Sequence, residues 1–248
     1  MMSKGTDTML QNRIAIVTGG ASGIGQATAG RLSASGATVV VADLVRPTAL
    51  PDGAEFTTLD VTDQQAWHRL AEDIASRFGR IDILVNCAGI LGEGTLWSTT
   101  LEDWRRIMAV NVEGTFWGCQ AVIPHMSTNG SIINMASVSG SRGDAELLAY
   151  TTSKAAIVNL TREIALDCAR RGNGIRCNSV SPGVVATAMV DTFFESGPRA
   201  TRDEWLATQP LARNISPDEV AEVITFLVGD DASFVTGADH PVDCGALA

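Results

Sequence analysis

The sequence holds one tyrosine, Tyr150, in the stretch AYTTSKAAIVNL, with Lys154 four positions after it. On a helix that spacing brings the two side chains to one face. A phenol titrates near ~10 and is a poor proton acceptor at neutral pH. An ammonium beside it stabilises the phenolate and draws that value down, so the pair could serve as a general acid and base. Taken alone, a tyrosine and a lysine at this spacing are usually a solvated helix face.

A second group of residues lies near the N-terminus, in TGGASGIG, Thr18 to Gly25. Gly19, Gly23 and Gly25 give the spacing G-x-x-x-G-x-G rather than G-x-G-x-x-G. Glycines at a strand-to-helix turn let the backbone approach a pyrophosphate, with helix N–H groups facing the anion. Asp43 follows at about the twenty-residue offset where a carboxylate meets an adenosine ribose. A carboxylate accepts from ribose hydroxyls and repels a 2′-phosphate, which favours NAD over NADP. Leu44 stands where an arginine would hold such a phosphate, and Arg46 reads as a loop charge.

The elements that must position these groups are legible as apolar runs alternating with helical stretches. Strands are expected over 13–18, 38–43, 55–60, 81–86, 130–137, 175–182 and 238–243. Helices are expected from near Ile24 to 33–36, then over 63–78, 100–126, 150–171 and 217–228. The strands are continuous Val/Ile runs, as expected when both faces are covered. That order predicts an α/β fold: a doubly wound, Rossmann-type parallel sheet of about seven strands, with helices on both faces. Thr100 with Asp103, and Ser216-Pro217 with Glu219, read as capping boxes, while Gly36, Gly79 and Gly172 mark helix ends. No repeat or linker divides the chain, so 1–248 reads as one domain, with 1–11 as a flexible leader.

Together with NCAG at 86–89, Asn111, and Ser137 thirteen residues before the tyrosine, these motifs resemble the short-chain dehydrogenase/reductase family in its shorter form. The resemblance spans essentially the whole chain. It implies that Thr18, Gly19, Ser22, Gly23, Ile24 and Gly25 form a pyrophosphate turn, with Asp43 on the ribose and Asp60 and Val61 near the adenine. Asn86, Ala88 and Gly89 would line the cofactor. Pro182 and Gly183 begin a motif in which Val185 and Thr187 would hold the carboxamide. Ser137, Tyr150 and Lys154 would be catalytic, with Lys154 also on the nicotinamide ribose and Asn111 positioning a proton-relaying water. Cys87 replaces a common asparagine, VDCG at 242–245 a common VDGG, and the short connection after Asp43 leaves little room for the usual helix.

The expected reaction interconverts a secondary alcohol and a ketone by hydride transfer with NAD. Residues 188–211, carrying Met189, Phe193, Phe194 and Trp205, would form an apolar lid or else an interface. Leu91, Ser139, Leu147, Leu148 and Val184 are further pocket candidates. That suggests a largely apolar or cyclic substrate. The alternatives are an NADPH-dependent 3-oxoacyl-carrier-protein reductase and a non-catalytic dinucleotide-binding protein.

The formal charge of −10 disfavours nucleic acid, anionic membranes and an acidic carrier protein. No signal peptide is visible, and the five cysteines lack metal spacing, so a cytoplasmic protein without a metal is expected. His68, His125 and His240 have no ligand partners by spacing. Apolar residues on 100–126 and 150–171, among them Trp104, Phe116, Trp117, Ile157 and Leu160, exceed what one sheet face covers. The family resemblance implies that these helices pair in a homotetramer.

Overall fold

The computed structural model describes residues 9–195, 202–207 and 209–248. Most of the expected leader, and residues 196–201 and 208 of the expected lid, lie outside the described residues. Among the described residues, seven strands form a single parallel sheet: β1 (Ile14–Thr18), β2 (Thr38–Asp43), β3 (Glu55–Thr58), β4 (Ile81–Asn86), β5 (Met126–Met135), β6 (Arg176–Pro182) and β7 (Asp239–Val242). Their order is β3-β2-β1-β4-β5-β6-β7. The order reverses between β1 and β4, and in such sheets ligands bind outside the carboxyl ends of the strands at that switch point.

Two apolar cores, one on each face, hold the helices. On one face α1 (Gly23–Ala34) and α8 (Pro217–Val228) bury Leu32, Ile224 and Leu227 against Val39, Val41 and Ile133. On the other, α2 (Gln64–Phe78), α4 (Gly114–Val122) and α5 (Leu148–Arg171) bury Trp67, Cys119 and Cys168 against Ile16, Leu84 and Ile132. Trp67 is fully buried, and its indole N–H donates to the Val61 carbonyl at 3.1 Å, so the large ring leaves no polar atom unpaired.

Most helix ends follow their expected chemistry, but Thr100 and Asp103 make only half a capping box: Thr100 Oγ1 accepts from the Asp103 N–H and donates to Asp103 Oδ2. Asp63 caps α2 by accepting from the Gln65 and Ala66 N–H groups, and Gly79 closes it at φ 83°. Ser216 and Glu219 form a complete capping box on α8. Residues 44–54 contain no helix, as the short connection after Asp43 predicts. Leu10 is buried, with its N–H donating to the Ser35 carbonyl at 2.9 Å, so the chain is anchored before residue 12.

The expected helix over 100–126 is interrupted. It consists of α3 (Leu101–Met108), a π-helical turn (Ala109–Glu113), α4, and a short 3-10 turn (Ile123–His125). The π turn inserts an extra residue at Asn111, whose side chain is tied outside the helix. The lid region forms α6 (Ala188–Glu195) and α7 (Arg202–Ala207). Among the described residues, no helix is long and apolar enough to cross a membrane.

Candidate active site

A cleft of about 380 Å³ opens at the carboxyl ends of the strands, running from Asp43 at the end of β2 to Met189 and Val190 on α6. Its floor is the glycine turn between β1 and α1. Gly25 packs so closely there that a Cβ would lie 2.1 Å from the Gly19 carbonyl oxygen. A Cβ on Gly19, at φ +61°, would meet the Ala88 backbone at 2.8 Å. Only glycine fits at positions 19 and 25, and the turn leaves the N-terminus of α1 open toward the cleft. That arrangement fits a dinucleotide pyrophosphate, which backbone N–H groups and the helix dipole would hold.

At the outer end, Asp43 Oδ2 accepts from the Ala21 N–H at 3.0 Å and Oδ1 from the Val45 N–H at 3.2 Å. Its carboxylate is thereby fixed at the cleft wall. Arg46 stacks over the Phe56 ring, 5.4 Å from its centroid. Asp60 accepts from both the N–H and the hydroxyl of Thr62.

At the inner end, Ser137, Tyr150 and Lys154 share the wall. Ser137 follows the end of β5 by two residues, and its Oγ accepts from the Ser139 N–H at 3.2 Å and shares a hydrogen bond with the Tyr150 phenol. Tyr150 lies in the first turn of α5, and Lys154 follows one turn later. The Lys154 ammonium is 5.7 Å from the Tyr150 ring centroid and donates to the Met135 carbonyl at 2.8 Å.

The electrostatics differ from the expectation in one respect. Burial, rather than the lysine, is the leading influence on Tyr150 and raises its phenol, with the Ser137 hydrogen bond opposing. Burial likewise brings Lys154 down from 10.5 to about 8. Both groups are pushed toward their neutral forms because removal from water disfavours charge. Cys87, beside them, is pushed up to about 12 by burial, so its thiol stays protonated.

Asn111 is buried behind this wall. Its Oδ1 accepts from the Ile90 N–H at 2.8 Å, and its Nδ2 donates to the Ile90 carbonyl at 3.0 Å and to Ser153 Oγ at 3.0 Å. Ser153 Oγ in turn donates to the Tyr150 carbonyl at 2.7 Å. The Asn111 amide thus joins the loop after β4 to the turn of α5 that carries the tyrosine.

Most of the expected cofactor residues line the cleft, from Gly19 through Asp43, Asp60, Val61, Ala88 and Gly89 to Pro182, Gly183, Val185 and Thr187. Two do not. Thr18 Oγ1 is turned to accept from the Cys87 and Ala88 N–H groups, at 3.1 Å each. The Asn86 amide points inward, to Cys119 and Asn134. Of the substrate candidates, Met189 lines the cleft, whereas Leu91, Ser139, Leu147, Leu148, Val184 and Phe193 do not. Leu147 is buried beside a backbone bridge to Gly94, and Phe193 is packed edge-on against Phe194. The apolar wall is made instead by Met135 and Ala136, which the sequence reading did not name, together with Ala188 and Val190 of the expected lid. Their positions flanking Ser137 and Met189 were the available signal.

A family model described as enoyl-(acyl carrier protein) reductase matches residues 19–246. The chain is 41% identical over 245 residues to meso-2,3-butanediol dehydrogenase of Serratia marcescens, covering 96% of this chain and 95% of that one. It is 36% identical over 249 residues to 3-oxoacyl-acyl-carrier-protein reductase FabG of Thermotoga maritima, covering 96% and 99%. A solved structure of a blue fluorescent protein from a metagenomic library, in complex with NADPH, superimposes with a TM-score of 0.86 at 32% identity, covering 96% and 99%.

Proposed function

The chain belongs to the short-chain dehydrogenase/reductase family and is an alcohol dehydrogenase or ketone reductase of it, and we propose that it uses NAD, with Tyr150 as the acid and base. The observation that carries this reading is the placement of Tyr150, Ser137 and Lys154 at one end of a cleft whose other end holds the glycine turn and Asp43. The bound dinucleotide would supply the hydride chemistry. The chain's own residues handle the proton and the oxygen. Ser137 Oγ hydrogen-bonds the substrate oxygen and orients it toward the phenol. Tyr150 takes the hydroxyl proton of an alcohol or returns one to a ketone. Lys154, held by the Met135 carbonyl, keeps a positive charge beside the phenol. Asn111 fixes the Tyr150 turn through Ser153, and a relaying water would lie beside it.

Met135, Ala136, Val185, Ala188, Met189 and Val190 surround this end of the cleft, which supports a largely apolar secondary alcohol or ketone. Asp43 supports NAD, since a 2′-phosphate beside a fixed carboxylate is repelled. Similarity to the Thermotoga reductase keeps a carrier-linked 3-oxoacyl substrate as the second reading. The formal charge of −10 counts against docking an acidic carrier. The decisive experiment is Tyr150→Phe, assayed with a panel of secondary alcohols and NAD. Turnover should fall by about a thousandfold or more, and an unchanged rate would remove Tyr150 from the mechanism.

Phe116 on α4 and Leu166 on α5 are exposed apolar residues on neighbouring helices, which supports pairing of these helices between subunits of a homotetramer. Ile157, by contrast, is fully buried within the fold. A monomeric mass by light scattering would discard this assembly.

A further inference from the structure

Behind the catalytic wall lies a polar cluster that the mechanism above leaves unused. Asn134, next to last in β5, is fully buried in the apolar interior. Its Oδ1 accepts from Asn86 Nδ2 at 2.9 Å and from the Cys119 thiol at 3.8 Å. Its Nδ2 donates to Thr161 Oγ1 at 3.0 Å and to Cys177 Sγ at 3.5 Å. Those four partners come from β4, α4, α5 and β6, so one amide touches every element that surrounds it on this face.

We propose that Asn134 is a positioning residue for the catalytic pair, acting through Thr161 to fix how α5 sits on the sheet. Thr161 is seven residues after Lys154, about two helical turns, and therefore lies on the same face. The Thr161 hydroxyl spends its only hydrogen on the Ile157 carbonyl at 2.8 Å, so toward Asn134 it can only accept. The two groups are thus matched in direction as well as distance. The adjacent residue of β5, Met135, accepts from Lys154 Nζ through its carbonyl at 2.8 Å. Two ties on α5 therefore converge on consecutive residues of one strand.

A helix held on a sheet by apolar contacts alone can slide or rotate with little cost, because those contacts are not directional. Two hydrogen bonds at separate turns remove both freedoms. Ser137, three residues beyond Asn134 in the same chain segment, is thereby held at a fixed offset from Tyr150. The other side of the amide reaches Asn86, whose following residues Cys87 and Ala88 are tied to Thr18 at the cleft floor. Asn134 stands between the cofactor floor and the catalytic helix.

The inference rests on the reading of Tyr150 given above, and its test separates the two. Asn134→Leu would strip partners from Asn86 and Thr161 at once and could prevent folding, so the informative pair is Thr161→Val and Thr161→Ser. Valine keeps the shape and removes the hydroxyl; serine restores it. In Thr161→Val, kcat for a secondary alcohol should fall by about tenfold or more, as expected for a displaced reacting group, with little change in KM. The protein's only tyrosine allows a second readout without cofactor or turnover. The ultraviolet titration of the Tyr150 phenol should move upward in Thr161→Val, because a phenol further from its cation and its Ser137 partner ionises less readily. Thr161→Ser should restore both. The proposal is overturned if Thr161→Val melts at a lower temperature yet keeps the parent kcat and phenol titration, or if Thr161→Ser is as impaired as valine. If Tyr150→Phe proved active, the assignment of the base would fail, while the phenol titration would still report whether Thr161 positions that residue.

Discussion

Lys154→Met should give a protein that is inactive yet more stable, with a stability gain that depends on pH. The Lys154 side chain is 5% exposed, and burial brings its ammonium from 10.5 down to about 8. At about 1.4 kcal/mol per pH unit, keeping the charged form inside the fold costs roughly 3 kcal/mol. Above 10.5 the lysine is neutral in both the folded and unfolded chains, and that cost is absent. As pH falls toward about 8 the unfolded chain takes up the proton and the folded one does not, so the cost grows. Below about 8 it stays constant. Methionine removes the charge at similar length but leaves the Met135 carbonyl without its donor, a loss of about 1–2 kcal/mol. The net expectation is a variant more stable by on the order of 1–2 kcal/mol at neutral pH. The advantage should shrink above about pH 8 and reverse between about pH 9 and 10, where the remaining cost of the charge falls below that of the lost hydrogen bond. Urea unfolding of both proteins without cofactor, followed by tryptophan fluorescence at a series of pH values, measures it directly. A variant less stable than the parent at neutral pH, or a difference that does not change with pH, would refute the reasoning.

Three further outcomes follow from the same geometry. Gly25→Ala places a Cβ 2.1 Å from the Gly19 carbonyl oxygen, so the turn must open. Dinucleotide affinity, read by quenching of tryptophan fluorescence, should weaken by about tenfold or more. Asp43→Asn removes the charge and keeps an acceptor for only one of the Ala21 and Val45 N–H groups, which the carboxylate meets with different oxygens. The preference for NAD over NADP in kcat/KM should narrow by about tenfold, and an unchanged ratio would assign selectivity to other residues. Because burial raises the Tyr150 phenol, its deprotonated form accumulates only as pH rises. Alcohol oxidation should therefore accelerate through the alkaline range while ketone reduction slows, in initial rates measured both ways; flat profiles would exclude the phenol as the titrating group.

The parts of this molecule legible in the sequence are those fixed by local pattern. β2 and β4 match their expected limits residue for residue, since Val and Ile runs buried on both faces have no competing reading. Gly79 and Gly172 end their helices at positive φ, and Ser216 caps α8, because those signals act over a single turn. The break at Asn111 escapes such reading, because the bond that creates it runs to Ile90, twenty-one residues away. A period of 3.6 residues cannot report where tertiary contact inserts one more. The β5 strand begins at Met126, four residues before its apolar run, where the polar Ser127, Thr128 and Asn129 give no strand pattern. At the site, residue types disclosed the reacting groups but not their burial. Tyr150 and Lys154 were visible as a pair, whereas the dominance of desolvation at both was not. Leu147 and Phe193 were equally apolar whether packed inside or lining a pocket, and only the fold decides between those.

The burial that disfavours the Lys154 ammonium would also strengthen the action of any charge brought close to the phenol. At a solvated surface, a cation 5.7 Å from an aromatic ring would be screened by water and ions and would do little to a phenol. Inside the cleft the same separation acts through a medium of lower dielectric, so any charge placed near Tyr150 shifts its proton affinity more strongly. The cost in stability and the leverage on the phenol therefore have one origin and cannot be optimised separately. The Met135 carbonyl limits the cost by giving the ammonium a short hydrogen bond, and it does so from the end of the strand that Ser137 follows by two residues. Moving the lysine outward would relieve the fold and, under the proposed mechanism, weaken the base together. A more stable relative of this protein with full activity should accordingly gain its stability elsewhere, in the two apolar cores or at the helix caps, and leave the wall around Lys154 as it is.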